Sequence, residues 1–253
     1  MGRALGLGSS LIKSSNTRAS IVTSDLVLKH NYDLSSIQPL STGAAYFVRS
    51  NTDYISLGVG SALTPIADDF SVSLWVKLTN LSDNQMMIAG ANGTNQRLYV
   101  AAWSGKWDFG IGSSSAGAGT IDTTLEWTHV ALTYNGSGDS AQLYVNGVKD
   151  RVDTSNGTFN DGTFGGNFAF GTHGTSVTSY NLDGYLCNAG LWERELTQAQ
   201  IKSIMNKNYA DLTSSETTSL VSWWNLDVET ATDGTAGSGG VKDYHSTNHG
   251  TLS

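Results

Sequence analysis

One cysteine, Cys187, and two prolines are all that the 253 residues hold of either type. A lone thiol rules out an internal disulfide framework, so stability has to come from burial and sheet hydrogen bonding, with Cys187 acting as a small buried hydrophobe. No run of about 18 apolar residues occurs, which excludes a membrane-spanning helix. Met1 to Ser10 lacks the apolar stretch of a signal peptide, and Gly6 stands where a myristoylation pattern needs a hydroxyl, so the expected origin is a cytoplasm. Basic residues are also short: 14 Lys and Arg face 22 Asp and Glu, a net charge of -8. Binding of nucleic acid by counterion release is thereby excluded. The imbalance is uneven. Residues 1–24 carry Arg3, Lys13 and Arg18 and no acid, giving +3, while the rest has 11 basic against 22 acidic residues, giving -11. The basic segment reads as an extended arm that is ordered only when something holds it.

What is abundant points to sheets. Seven Trp, ten Tyr and seven Phe supply the bulk of a two-layer core, and 29 glycines, many beside Asn, Asp or Ser, supply tight turns. Thr128, Val130, Leu132 and Tyr134 alternate with Trp127, His129, Ala131 and Thr133, the period of a half-buried strand. Asn135 to Ser140 reads as a loop, Ala141 to Val145 as a second strand, and Asn146-Gly147 between two valines as a hairpin turn into a third, Val148 to Val152. A meander with one apolar face must meet a second layer to leave water.

The same period predicts strands at Leu26–Leu28, Ser71–Leu78, Met86–Ala89, Leu98–Trp103, Trp107–Ile111, Phe168–Phe170 and Leu182–Trp192, with Ser104-Gly105 closing a hairpin. Gly112–Gly119 and Asn156–Asn167 read as long loops of small polar residues. Thr197-Gln-Ala-Gln200 is a capping box, which starts one helix over Gln198–Lys207 with Ile201, Ile204 and Met205 facing inward. Four Asn-x-Ser/Thr triplets occur, at Asn80, Asn92, Asn135 and Asn156; the last three contain Asn-Gly, which turn chemistry explains, and without a secretory signal none is expected to carry a glycan. Leu26–Asp33 and Leu220–Asp227 share the spacing Leu-Val-x-x-x-Asn-x-Asp, a weak internal echo.

An ordered series of segments carries a resemblance: AYFVRSNTDYISL at 45–57, DFSVSLWV at 69–76, WTHVALTY at 127–134, LYVNG at 143–147, and LDGYLCNAGLWERELT with Gln200 and Ile201 from residue 182. Together they resemble the concanavalin A-like laminin G/pentraxin superfamily over residues 26–205. The C-terminal LVSWWNLD (220–227) and VKDYHSTNHGTL (241–252) are similar to a segment that usually precedes that module. The displacement leaves two options: completing this sandwich from the other terminus, or pairing with a neighbouring subunit. The start of the chain is also similar to laminin G-like structural proteins of tailed phages. The fold the resemblance implies is all-β, a two-sheet antiparallel jelly-roll sandwich with one short helix, in a single domain over 25–253.

Chemistry is sparse. Related glucanases carry acids at alternate strand positions on one face; this chain has no such run, and Glu193 with Glu195 sits at a strand-to-helix turn. No His has a second ligand at zinc spacing, His245 and His249 flank turn residues, and no strained elbow marks a serine nucleophile. The positions matching the pentraxin calcium loops, Asn92–Gln96 and Gly171–Thr175, contain no acid, so no metal or other cofactor is expected, although Asp183 with backbone carbonyls leaves a different calcium site open. Those same loops offer amide, hydroxyl and aromatic groups suited to sugars, with Asn92, Asn95, His173 and Tyr180 as the candidate ligand-binding residues and Asn181 beside them.

Three functional readings follow. The first is a non-catalytic virion structural protein, of capsid-decoration or fibre type, fastened to other virion proteins through residues 1–24 and located on the particle. The second is a lectin-like adhesin for surface glycans. The third, a glycan hydrolase, rests on fold kinship alone. Exposed sheet edges favour a homo-oligomer, and neither nucleic acid nor membrane is an expected partner.

Overall fold

A computed structural model describes residues 38–59, 69–92, 96–112, 114–154, 167–173, 180–227 and 240–252, all within one unit running from Leu34 to Ser253. The arm at 1–24, the strand expected at Leu26–Leu28, the first half of the echo (Leu26–Asp33) and most of the Asn156–Asn167 loop lie outside these residues, whereas the second half of the echo, Leu220–Asp227, is described.

Among the described residues, fifteen strands form two antiparallel sheets. The first joins β1 (Ala45–Phe47), β12 (Gly184–Trp192), β3 (Asp69–Leu78), β8 (Thr128–Asn135), β9 (Ser140–Val145) and β10 (Val148–Asp153), with β13 (Leu220–Trp224) also on β12. The second runs β14 (Gly240–Val241), β15 (Gly250–Leu252), β2 (Ile55–Val59), β11 (Asn167–Phe170), β4 (Gln85–Asn92), β5 (Gln96–Trp103), β6 (Lys106–Gly112) and β7 (Ser114–Asp122). This is the expected jelly-roll sandwich. Phe70, Val72, Leu74 and Val76 of β3 and Val130, Leu132 and Tyr134 of β8 meet Leu98, Val100, Trp107, Phe109 and Phe170 between the layers. Tyr134 tilts against Phe70 at 5.3 Å and Trp224 stands edge-on to Phe170 at 5.3 Å. Burying a side chain of this size is worth about 2 kcal/mol, so the interlayer residues dominate stability.

The turns obey their residues. Ser104 and Gly105 have φ of 50° and 77°, and Asn146 and Gly147 have 50° and 72°, both central positions positive as a two-residue hairpin needs.

Three expectations are corrected and one open alternative is resolved. The stretch Gly112–Gly119, read as loop, is largely strand β7: its small residues lack alternation, yet β6 pairs with it and the Asp150 carboxylate accepts from Thr120 and Ile121 amides and the Thr120 hydroxyl. Strand β8 is buried on both faces rather than one, because the outer face of the first sheet is roofed. The roof is α1 (Gln198–Ile204), whose Thr197/Gln200 capping box is present, together with a second short helix, α2 (Ser214–Thr217), that spacing did not reveal. Trp75 Nε1 donates to the Met205 carbonyl, Trp192 Nε1 to the Glu216 carbonyl, and Ser71 Oγ accepts from the Leu196 amide. Finally, the C-terminal segment pairs within its own chain: β13 lies on β12 beside β1, and β15 extends the second sheet at β2. A bulge at Asn188, φ 48°, lets β12 serve two partners along one edge.

The roof fixes where recognition can occur. His129 sits beneath it, fully enclosed, with Nε2 2.8 Å from Ser73 Oγ, and burial holds its ring near a pKa of about 3, hence neutral. Burial likewise pushes the Cys187 thiol up to about 12, leaving it inert at neutral pH.

Candidate functional site: an aromatic rim

Three segments converge at one end of the second sheet. The loop between β3 and β4 is tied by Asn80, which accepts from Ser82 and donates to Asp83 Oδ2. It is joined to the start of β12 by Gln85, a fully buried amide that donates to the Asn80 carbonyl and accepts from the Asp183 amide at 2.7 Å. The Tyr180 carbonyl accepts from the Met86 amide at 2.8 Å, and the Asn84 side chain accepts from the Ser104 amide at 2.9 Å, which fixes the β5–β6 turn to the same loop.

Arg49 is the clasp. Its guanidinium donates to the Asn181 carbonyl at 2.9 Å and to the Asn84 carbonyl, and it pairs with Asp83 at 3.2 Å. One planar fork thereby holds two carbonyls and a carboxylate and ties the β3–β4 loop to the segment before β12, geometry a lysine ammonium does not reproduce.

On this base stand three rings. Trp103, the last residue of β5, packs over Met86, Ala89, Tyr99 and Ala101 on the outer face of the second sheet. Tyr180 leans on Trp103 with ring centroids 4.9 Å apart at 55°, and His173 lies 6.2 Å from Tyr180. Tyr180 is 42% exposed and its φ is 57°. A bulky residue in the left-handed region costs about 1–2 kcal/mol, and it persists here because the surrounding hydrogen bonds over-determine it.

Of the four candidate residues read from sequence, the structure brings His173 and Tyr180 together. Asn92 ends β4, and Asn95 lies outside the described residues. Sequence reading missed Trp103 and Arg49. Trp103 stands just before a two-residue turn, on the face opposite the core alternation of Leu98 and Val100, which is a usable signal; Arg49 carries none.

The arrangement offers ring faces and hydrogen-bonding groups, and little that moves protons or electrons. Among the described residues no three His, Cys, Asp or Glu side chains converge on a metal position. The calcium loops of pentraxins do not fit here, since the Gly171 carbonyl already accepts from the Leu182 amide and the segment brings no carboxylate. Glu195, the better of the two acids at the strand-to-helix turn, accepts from Asn135 Nδ2 and Gln142 Nε2. Asp108, raised to about 6 by burial against weaker help from the Phe109 amide and Arg151, is a single acid. Among the described residues no helix is long and apolar enough to cross a membrane.

Known proteins share the family and the fold. The sequence profile Laminin_G_3, of the concanavalin A-like lectin/glucanases superfamily, matches residues 49–202. Among solved structures, a candidate carbohydrate-binding protein from Bacteroides ovatus superposes with a TM-score of 0.59 at 19% identity, covering 83% of this chain and 57% of that one. A heptameric SAP-like pentraxin from Limulus polyphemus gives 0.47 at 17%, covering 55% and 70%. The CBM40 domain of a Ruminococcus gnavus sialidase, bound to α2,3-sialyllactose, gives 0.48 at 14%, covering 67% and 96%. The chain spans a little over half of the Bacteroides protein. No curated protein sequence matches.

Proposed function

The chain belongs to the concanavalin A-like lectin/glucanases superfamily, and from that membership we propose a non-catalytic carbohydrate-binding domain whose site is the rim of Trp103, Tyr180 and His173. The observation that carries the reading is Tyr180: a half-exposed ring held in a costly backbone conformation, packed on a tryptophan and braced from three segments. A sugar ring has one apolar C–H face and a girdle of hydroxyls. The exposed aromatic faces accept the former, and the His173 ring and the Tyr180 hydroxyl offer polar partners to the latter. The Bacteroides ovatus protein is named for carbohydrate binding, but that likeness reaches this chain as a fold only. Glu195 is engaged with two amides, which supports a binding rather than a hydrolytic role.

The test is a glycan array probed with the whole chain and with Trp103→Ala and Tyr180→Ala. A discrete set of bound glycans, lost in both variants at unchanged melting temperature, is expected; no binder above background would remove the reading.

A second reading sets this domain on a virion surface, made in a host cytoplasm, with residues 1–24 contacting other particle proteins and the sandwich displayed as a homo-oligomer. The charge contrast favours it: an arm of +3 on a body of -11 suits an acidic neighbour. Deleting residues 1–24 should abolish particle association; unchanged association would dismiss the arm as the anchor.

A further inference from the structure

Beside the rim, on the other side of the segment 48–53, lies a cavity of about 230 Å³ whose walls include Tyr46, Asp53, Tyr54 and Leu252. Its lining comes from β1 of the first sheet and from β2 and β15 of the second. Tyr46 is on β1, an edge strand, so one face of its ring stacks on Tyr185 at 4.5 Å while the residue stays 52% exposed. Leu252, on β15 opposite Ile55, forms the facing wall from the second sheet. Asp53 Oδ2 accepts from the Val48 amide at 2.9 Å, which leaves Oδ1 as an acceptor with no partner among the described residues. Tyr54 brings a hydroxyl.

Cavity and rim share their supports. Asp53 fastens Val48, the residue before Arg49, and Arg49 holds the carbonyl next to Tyr180. From the other side, a side-chain carbon at Gly171 would strike the Phe47 ring and lie 3.4 Å from the Asp53 carbonyl, so the segment leading to His173 runs against the cavity wall with no room between. Two aromatic stations therefore flank one short loop.

We propose that this cavity is a second sugar subsite and that the domain's ligand is a neutral glycan chain of several residues. The inference rests on the carbohydrate reading of the rim. Its volume is below that of drug-sized pockets and suits one pyranose unit. The open face of Tyr46 provides a stacking surface, and Asp53 Oδ1 with the Tyr54 hydroxyl provides partners for a pair of ring hydroxyls. A carboxylate in the wall, with no cation among the lining residues, disfavours uronic and sialic acids there. A chain bridging both stations gains through effective concentration, so affinity should step up once the ligand is long enough to reach the second.

The experiment is titration calorimetry of the whole chain with neutral gluco-, galacto- and manno-oligosaccharides of one to six residues, and with sialyllactose as the acidic control. Wild-type protein should show at least a tenfold gain between short and long members of the bound series. Tyr46→Ala and Tyr54→Phe should erase that gain and leave affinity for the short members unchanged, whereas Trp103→Ala should weaken both. Oligosaccharides binding Tyr46→Ala and Tyr54→Phe as tightly as wild type, with Trp103→Ala still defective, would overturn the second subsite and leave the rim standing. Binding of no glycan by wild type would overturn both. A change of sedimentation behaviour in Tyr46→Ala with glycan affinity intact would show the cavity to be a contact between copies of the chain, and would equally defeat the proposal.

Discussion

Trp103 and Tyr180 lie 77 residues apart in the chain and meet with ring centroids 4.9 Å apart, one ending a strand and the other entering the next sheet. Nothing in the core requires the contact. Tyr180 reaches it with a positive φ that a smaller residue would adopt more cheaply.

Replacing Tyr180 by glycine therefore separates stability from recognition. The left-handed backbone becomes unstrained, and loss of one half-exposed ring contact is a small debit against about 1–2 kcal/mol of relieved strain. The variant should melt at or slightly above the wild-type temperature and lose glycan binding at least tenfold, the trade expected at a functional position.

Arg49→Lys should act in the opposite way. The Asn84 and Asn181 carbonyls lose a bidentate donor, so about 1–3 kcal/mol of stability is expected to disappear. Amide exchange should quicken at Met86 and Asp183, whose bonds tie the same loops, while the β3 and β8 amides stay protected.

Acid sensitivity should have two opposed sources. The His129 ring, held near about 3 by burial, refuses a proton that the unfolded chain accepts below about 6.5, so stability falls by roughly 1 kcal/mol per pH unit from there down toward 3. Asp108 works against this: raised to about 6 by burial, it is protonated in the fold before the unfolded chain at 3.8, and so gains stability as pH falls from 6 to 4. Asp108→Asn should steepen the loss of stability between pH 6 and 4, and His129→Gln should flatten it, both read by urea denaturation at each pH.

Gly184→Ala tests the crowded centre of the first sheet. A side-chain carbon there would sit 2.3 Å from the Lys77 carbonyl oxygen and 3.1 Å from the Leu78 Cα, both backbone atoms that cannot step aside. A loss of at least about 3 kcal/mol is expected in thermal unfolding, because β12 bridges β1 and β3 at this residue.

These residues also show what a sequence can and cannot disclose. The meander of β8, β9 and β10 is legible because alternation and Asn146-Gly147 are local facts, and α1 because its cap is spelled out within four residues. Strand β7 is not, since Ser, Ala and Gly have no periodic contrast and the strand exists through its pairing with β6 and the Asp150 clasp. The burial of His129 is hidden for a related reason: the roof that encloses it comes from residues some 70 positions later. At the rim, composition pointed to Tyr180 and His173, whereas Trp103 and Arg49 acquire their roles only from partners that the fold delivers.

The most direct measurement is a crystal structure of the wild-type chain with the tightest glycan from the array. The account predicts a sugar ring in van der Waals contact with Tyr180 or Trp103. A glycan seated elsewhere on the sandwich, with both rings bare, would contradict it.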